Sequence, residues 1–205
     1  MIHPIEYRYG TKECRRIWSR EGTLRKYLEV EAAIARAEAE FGLIPKEAAE
    51  EIERCVQLVS AERVDEIERE TRHDVMAVVR ALAEKCGEYG EYVHFGATSY
   101  DVVDTARALQ MKDTLGLVER RLAQLKRVLV GMAKKHIKTV CVARTHGQIA
   151  IPTTYGMRFA LWADEINRHI RRIGESRDRI LVGKLAGAVG TQASIGDKGI
   201  EIECR

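Results

Sequence analysis

The sequence predicts an all-α protein, and three observations carry that prediction. Only three of the 205 residues are proline and 6% are aromatic, which favours helices over disorder or a β-sandwich. Residues 99–136 and 153–182 contain no proline and repeat apolar side chains at helical spacing. The stretches before them are short and are bounded by residues that cap helices.

The first 95 residues divide into short helices that form a small N-terminal domain. We predict helix starts at Thr11, Thr23, Pro45, Ser60 and Thr71. The last start is the clearest, because T-R-H-D matches a capping box that pairs Thr71 with Asp74. Residues 87–98 form a loop with three glycines. We therefore predict one domain over residues 1–95 and a second over 96–205.

The second domain is dominated by two long helices. The first, from Ser99 to about His136, would span roughly 57 Å at 1.5 Å per residue. Its apolar side chains recur at alternating steps of four and three, which predicts a helix packed along them; they are Met111, Leu115, Val118, Leu122, Leu125, Leu129 and Met132. Helices this long cannot bury their apolar faces within one chain of this size. We therefore expect a bundle shared with other chains.

Charge and cysteine content exclude several classes of protein. The net charge is only +3, so we expect no nucleic-acid and no membrane partner. The five scattered cysteines include no C-x-x-C pair, which argues against a zinc site or a disulfide framework and fits a reducing compartment. The first ten residues lack the apolar stretch of a signal peptide. These features predict a cytoplasmic protein.

Two predicted helix starts combine free backbone N–H groups with polar side chains. Arg72 and His73 lie in the first turn of their helix, where the N–H groups and the helix dipole favour an anion. Thr98 and Ser99 open the long helix and suit a carboxylate in the same way. The alternative at both places is an ordinary cap with solvated side chains.

The third candidate is A-R-T-H-G-Q, residues 143–148, which we predict to be the loop between the long helices. Histidine is the commonest general acid in enzymes, so His146 is a candidate proton donor to a leaving group. Gly147 permits a sharp backbone turn. The alternative is a structural loop histidine.

Taken together, five blocks resemble the adenylosuccinate lyase family of the fumarase/aspartase superfamily, in the family's order. They are E-Y-R-Y-G, T-R-H-D-V-M-A-V, G-A-T-S-Y-D-V-V-D-T-A, A-R-T-H-G-Q and G-K-L-A-G-A-V-G-T. The resemblance implies an all-helical homotetramer, in which each active site takes segments from three subunits. It also implies elimination of fumarate from adenylosuccinate, giving AMP, and from the succinyl-carboxamide ribotide (SAICAR, giving AICAR) of purine biosynthesis. It implies neither a cofactor nor a metal.

The resemblance assigns roles to residues by position. His146 would be the general acid. Arg8 and Tyr9 would contact the phosphate region of the nucleotide substrate. The nucleotide would contact Arg72, His73 and Asp74, and a succinyl carboxylate would contact Thr98 and Ser99.

The family's serine block, S-S-x-M-P-x-K-x-N-P, is absent from this sequence. We therefore expect the chain to be an N-terminal fragment that is inactive alone. Two other functions remain open: a non-enzymatic helical oligomerisation module, and a superfamily relative such as an argininosuccinate lyase.

Overall fold

The computed structural model describes residues 8–204. In chain order its regular elements are α1 Lys12–Trp18, α2 Arg20–Glu40, α3 Lys46–Cys55, α4 Ala61–Thr71, α5 Asp74–Ala83, α6 Ser99–Lys135, β1 Val140–Thr145, β2 Gln148–Thr154, α7 Tyr155–Ile180 and α8 Gly199–Glu203. Short 3₁₀ turns occupy Val56–Leu58, Gly87–Tyr92 and Gly196–Lys198. The predicted all-α class is confirmed, with one antiparallel hairpin, β1–β2, added to it.

The chain forms two compact units. The first contains residues up to Asp113 together with those from Leu181 onward, and the second is Thr114–Ile180. The C-terminal segment therefore belongs with the N-terminal helices. The domain boundary at residues 95 and 96 stays a prediction.

The core of the first unit forms around α2. One face of α2 packs against α3, α4 and α5, and the side chains at the centre of this cluster are 1% exposed or less: Leu28, Ile52, Ile67 and Leu82. Burial of each such side chain contributes about 1.5–3 kcal/mol. Another face of α2 packs against the start of α6 and the C-terminal segment through Val30, Ile34, Val102, Leu185 and Ile202.

Three predicted caps are confirmed and two are wrong. Helices begin after Thr11, Pro45 and Ser60 as expected. Helix α2, however, begins at Arg20 instead of after Thr23, because the Ser19 side chain accepts the N–H of Gly22 at 3.0 Å. The Thr23 hydroxyl instead accepts a hydrogen bond from the buried side chain of Gln110.

The predicted capping box between Thr71 and Asp74 is also wrong. Helix α4 continues to Thr71, Arg72 then adopts a left-handed conformation with φ 53°, and His73 caps the next helix. The Thr71 hydroxyl donates to the carbonyl of Ile67 at 3.1 Å, as expected at the end of a helix.

The second unit consists of the latter part of α6, the hairpin and α7. Helix α7 runs antiparallel to α6, since Glu119 pairs with Arg177 at 2.6 Å and Lys126 with Asn167 at 3.1 Å. A helix therefore runs alongside α6, but Val118 and Leu125 of the apolar repeat are exposed, so packing along the repeat stays a prediction. In the described part of the chain, no helix combines the length and hydropathy needed to cross a membrane.

Candidate active site

His146 lies at the tip of the β1–β2 hairpin and not in an irregular loop as predicted. Thr145 and Gln148 are the last paired residues, so His146 and Gly147 form a two-residue turn. Both have left-handed backbones, with φ 51° and 75°, as a type I′ hairpin turn requires. The Arg144 guanidinium donates to the carbonyl of Gly147 at 3.4 Å. The hairpin therefore presents the exposed His146 ring to solvent on a regular support.

His73 is the N-cap of α5, a role that its sequence position did not predict. Its Nδ1 accepts the N–H of Met76 at 3.3 Å. Because an accepting nitrogen carries no proton, the ring proton of this tautomer lies on Nε2. The side chain is 46% exposed, so Nε2–H can donate to a ligand. His73 can therefore cap its helix and bind a ligand at the same time.

Asp74 begins α5 and borders a cavity of about 390 Å³ in the first unit. The cavity is also lined by Arg20, Thr23 and Tyr27. Burial raises the pKa of Tyr27, and the negative charge of Asp74 raises it further. The Tyr27 phenol is therefore held neutral, as a hydrogen-bond donor beside Asp74.

Asp101 joins Thr98 to the glycine-rich segment after α7. Its side chain is fully buried. Oδ2 accepts the N–H groups of Thr98 at 3.0 Å and Gly187 at 3.1 Å, while Oδ1 accepts that of Ala186 at 3.0 Å. The ammonium group of Lys184 lies 3.3 Å from Oδ1. The G-A-T-S and G-K-L-A-G blocks therefore meet within one chain.

Two further side chains fix the same segment, Thr105 from α6 and Gln192 from within the segment. The Thr105 hydroxyl accepts the N–H of Lys184 at 2.9 Å and donates to its carbonyl at 3.2 Å. Gln192 donates to the carbonyl of Leu185 at 2.8 Å. The main chain beside the start of α6 is thus fixed at several points, which favours a preorganised site for Thr98 and Ser99.

His94, two residues before Gly96, was not selected from the sequence. Its Nδ1 lies 2.8 Å from Oε1 of Glu31, and both side chains are largely buried. Burial lowers the pKa of His94, but the hydrogen bond and the charge of Glu31 outweigh burial and raise it. The pair therefore favours a charged imidazolium close to the start of α6.

Arg8 and Tyr9 are exposed, in front of α1. The Tyr9 carbonyl accepts a hydrogen bond from the Arg15 guanidinium at 3.1 Å. The first two residues of their motif, Glu6 and Tyr7, lie outside the described residues.

Left-handed backbone marks four of the five blocks. Among the described residues, the non-glycine residues with positive φ are Arg72, His94, His146 and Gln192. Each lies within a block or within two residues of one. Such conformations typically cost about 1–3 kcal/mol each and cluster at functional sites. The backbone therefore points to the same segments as the resemblance.

The structure brings some of the predicted residues together. Thr98 and Ser99 share their surroundings with residues 184–187 through Asp101, and His73 and Asp74 are neighbours on α5 of the same unit. His146 belongs to the second unit. Within residues 8–204, no three His, Cys, Asp or Glu side chains are grouped as metal ligands would be.

Comparison with known proteins places these features in a family. The family model described as lyase matches residues 6–200. The chain belongs to the lyase family. Members of this family named adenylosuccinate lyase are 60% identical in Pyrococcus abyssi, over 98% of this chain, and 58% identical in Methanocaldococcus jannaschii, over all of it. Each match covers 45% of the relative, so the chain spans just under half the length of these curated proteins.

Other lyases are similar at lower identity. The N-acetyl-S-(2-succino)cysteine lyase of Dickeya dadantii is 42% identical over 95% of this chain and 43% of its own length. The crystal structure of a fumarate lyase from Mesorhizobium sp. BNC1 has a TM-score of 0.89 and 34% identity, and covers 96% of this chain and 48% of that one. The fold of the lyase family is therefore shared by nearly the whole described chain. The individual roles of the site residues stay predictions.

Proposed function

We propose that the protein containing this chain is an adenylosuccinate lyase that eliminates fumarate from adenylosuccinate and from the succinyl-carboxamide ribotide of purine biosynthesis. The observation that carries the proposal is the placement of left-handed, non-glycine backbone in or beside four of the motif blocks. Identity of 60% to a protein of that name supports the choice of substrate.

The reaction needs a group that protonates the departing nitrogen as the C–N bond breaks. His146 fills this role as general acid, because the hairpin tip leaves its ring accessible. The proton beside the carboxylate is removed by a serine that this chain does not contain. Negative charge then builds on that carboxylate.

Thr98 and Ser99 bind the succinyl carboxylate at the start of α6, whose 37 residues orient their peptide dipoles toward this end. The negative charge of Asp101 in the same turn is paired with Lys184, and Asp101 accepts the backbone N–H of Thr98, so Thr98 offers the ligand its hydroxyl. His73 donates through Nε2–H to the nucleotide, beside Arg72 and Asp74. Arg8 and Tyr9 contact the phosphate region. The elimination requires no cofactor.

The active enzyme is a cytoplasmic homotetramer whose active sites combine segments of several subunits. Support comes from the second unit, which leaves large apolar side chains more than half exposed: Val128 at 62%, Met157 at 55%, Leu161 at 58% and Trp162 at 51%. Large apolar side chains exposed in this way are often buried when subunits associate.

The test uses the full-length protein and follows the loss of adenylosuccinate absorbance together with fumarate release. Argininosuccinate and N-acetyl-S-(2-succino)cysteine serve as competing substrates. We expect adenylosuccinate to have the highest kcat/KM of the three. A higher kcat/KM for either competitor would assign the protein to another branch of the family.

The 205-residue chain is assayed in parallel and is expected to be inactive. Turnover of about 1–1,000 per second, the range of ordinary enzymes, would show that the proton-abstracting base lies within it. A full-length protein that assembles through its apolar surface but turns over none of the substrates would support the second candidate, a helical assembly module.

A further inference from the structure

Two cysteines lie side by side in the core of the first unit. Cys55 ends α3 and is 2% exposed, and Cys86 follows α5 and is 3% exposed. Their thiols are hydrogen-bonded to each other. The Cys55 sulfur also lies 3.1 Å from the carbonyl of Lys85, the residue before Cys86. Both backbone and side chain therefore hold the two sulfurs close.

A carboxylate stands beside this pair. Oε1 of Glu51, one turn earlier on α3, lies 3.3 Å from the Cys55 sulfur. Its other oxygen pairs with Arg54, and the Glu51 side chain is 24% exposed. Burial, and then the hydrogen bond to Glu51, raise the pKa of Cys55, so Glu51 helps to keep this thiol protonated in the folded protein.

We propose that Cys55 and Cys86 form a reversible intramolecular disulfide when the folded protein meets a low-molecular-weight disulfide. Local opening lets Cys55 lose its proton to water, and the resulting thiolate attacks the small disulfide, releasing one small thiol and leaving a mixed disulfide on Cys55. The Cys86 thiol gives up its proton and attacks the Cys55 sulfur, releasing the second small thiol. The protein loses two electrons and two protons, and the small disulfide gains them.

The burial of Cys55 and Cys86 determines how fast the disulfide forms. Burial raises the pKa of Cys55, and burial together with the neighbouring Cys55 raises the pKa of Cys86 to about 12. Thiolates are the reactive species, so oxidation is slow and depends on brief opening around residues 84–92.

The remaining cysteines provide internal controls. Cys14 and Cys141 are partly exposed and Cys204 is exposed. They lie on or beside other elements, α1, β1 and α8. A cross-link specific to Cys55 and Cys86 is thus distinguishable from general oxidation of surface thiols.

The disulfide closes a loop of about thirty residues, which should raise the melting temperature by on the order of 10 °C. The test treats the folded 205-residue chain with oxidised glutathione. Mass spectrometry of non-reduced peptides then reports which cysteines are joined. Melting temperature is measured before and after addition of dithiothreitol.

We expect one peptide pair joining Cys55 to Cys86 and a higher melting temperature that dithiothreitol reverses. Cys55→Ser and Cys86→Ser should abolish both effects, whereas a Cys14→Ser, Cys141→Ser, Cys204→Ser variant should keep them. Glu51→Gln should speed the cross-link several-fold, because it removes a charge that raises the pKa of Cys55. Thiols that stay reduced, a reaction that stops at a glutathione adduct, or a cross-link that lowers the melting temperature would each overturn the proposal.

Discussion

The buried carboxylate of Asp101 forms an ion pair with Lys184, whose Nζ lies 3.3 Å from its Oδ1. This pair links the first turn of α6 to a segment that follows α7 in the chain. The same carboxylate accepts three backbone N–H groups, so its removal would leave several buried donors unsatisfied.

We therefore predict that Asp101→Asn lowers the free energy of unfolding by about 3 kcal/mol, the range seen when one partner of a buried charge network is removed. The amide cannot accept at both positions, and its NH₂ would face N–H groups. Urea denaturation of the chain measures the change. Asp104→Asn, one turn along α6 and partly exposed, should change it by less than about 1 kcal/mol. Equal losses in the two variants would contradict the role given to Asp101.

His73 offers a way to separate capping from ligand binding. His73→Ala removes the cap of α5 and should cost about 1 kcal/mol, whereas His73→Asn should keep the stability, because Asn is among the best N-caps. Both variants lack the Nε2–H donor, so both should lower kcat/KM in the full-length protein. Thermal unfolding and steady-state kinetics on the same samples measure the two effects. A wild-type kcat/KM in His73→Asn would show that His73 caps the helix but does not bind the substrate.

Glu38 makes stability depend on pH. It is fully buried, and neither carboxyl oxygen has a hydrogen-bond partner in the described part of the chain. Burial, with a further contribution from Glu31, raises the pKa of Glu38 from 4.5 to about 8. The folded state therefore keeps a proton that the unfolded chain loses above about pH 4.5, and stability falls as pH rises from there to about 8.

We predict that Glu38→Gln flattens this decline and makes the protein more stable than wild type by several kcal/mol at pH 9, since one pKa unit corresponds to about 1.36 kcal/mol. The raised pKa of His94 acts in the same direction near neutral pH, so some slope should remain. Denaturation curves between pH 5 and pH 9 provide the test. Glu70→Gln, at an exposed position, is the control and should leave the slope unchanged. An unchanged slope in Glu38→Gln would disprove the assignment.

His146→Asn tests the proposed general acid with little disturbance to the hairpin, because Asn tolerates left-handed backbone better than most residues. In the full-length protein we expect kcat to fall about a hundred- to ten-thousand-fold, with kcat/KM falling in parallel. The melting temperature should barely shift. His169→Asn, an exposed histidine on α7, should have wild-type kinetics. Wild-type kcat in His146→Asn would exclude His146 from the proton transfer.

The sequence predicted helices well because their signals are local. The helix starts at Thr11 and Ser60 depend only on neighbouring residues. The prediction from sequence was wrong where two neighbouring residues could each cap the helix. These pairs are Ser19 and Thr23, and Thr71 and His73. Which residue caps the helix depends on packing elsewhere in the unit.

The hairpin was missed for a different reason. Its strands alternate Val140 with Val142 and Ile149 with Ile151, but the turn between them is His-Gly, which lacks the usual Asn or Asp signal. The contacts of Asp101 could not be predicted either. Asp101 lies in the first turn of its helix, where acids are common. Its sequence position therefore does not indicate that its hydrogen-bond partners follow the next long helix.

Because the first unit is completed by residues from Leu181 onward, its two parts are separated in the chain by the whole second unit. Asp101 is synthesised long before its partners Lys184 and Gly187. The carbonyl of Phe41 is separated even further along the chain from Lys198, whose ammonium group donates to it at 2.8 Å. The second unit, built from consecutive residues, can fold as it emerges. During synthesis the face of α2 that carries Val30 and Ile34 therefore stays uncovered until Leu185 and Ile202 have been made.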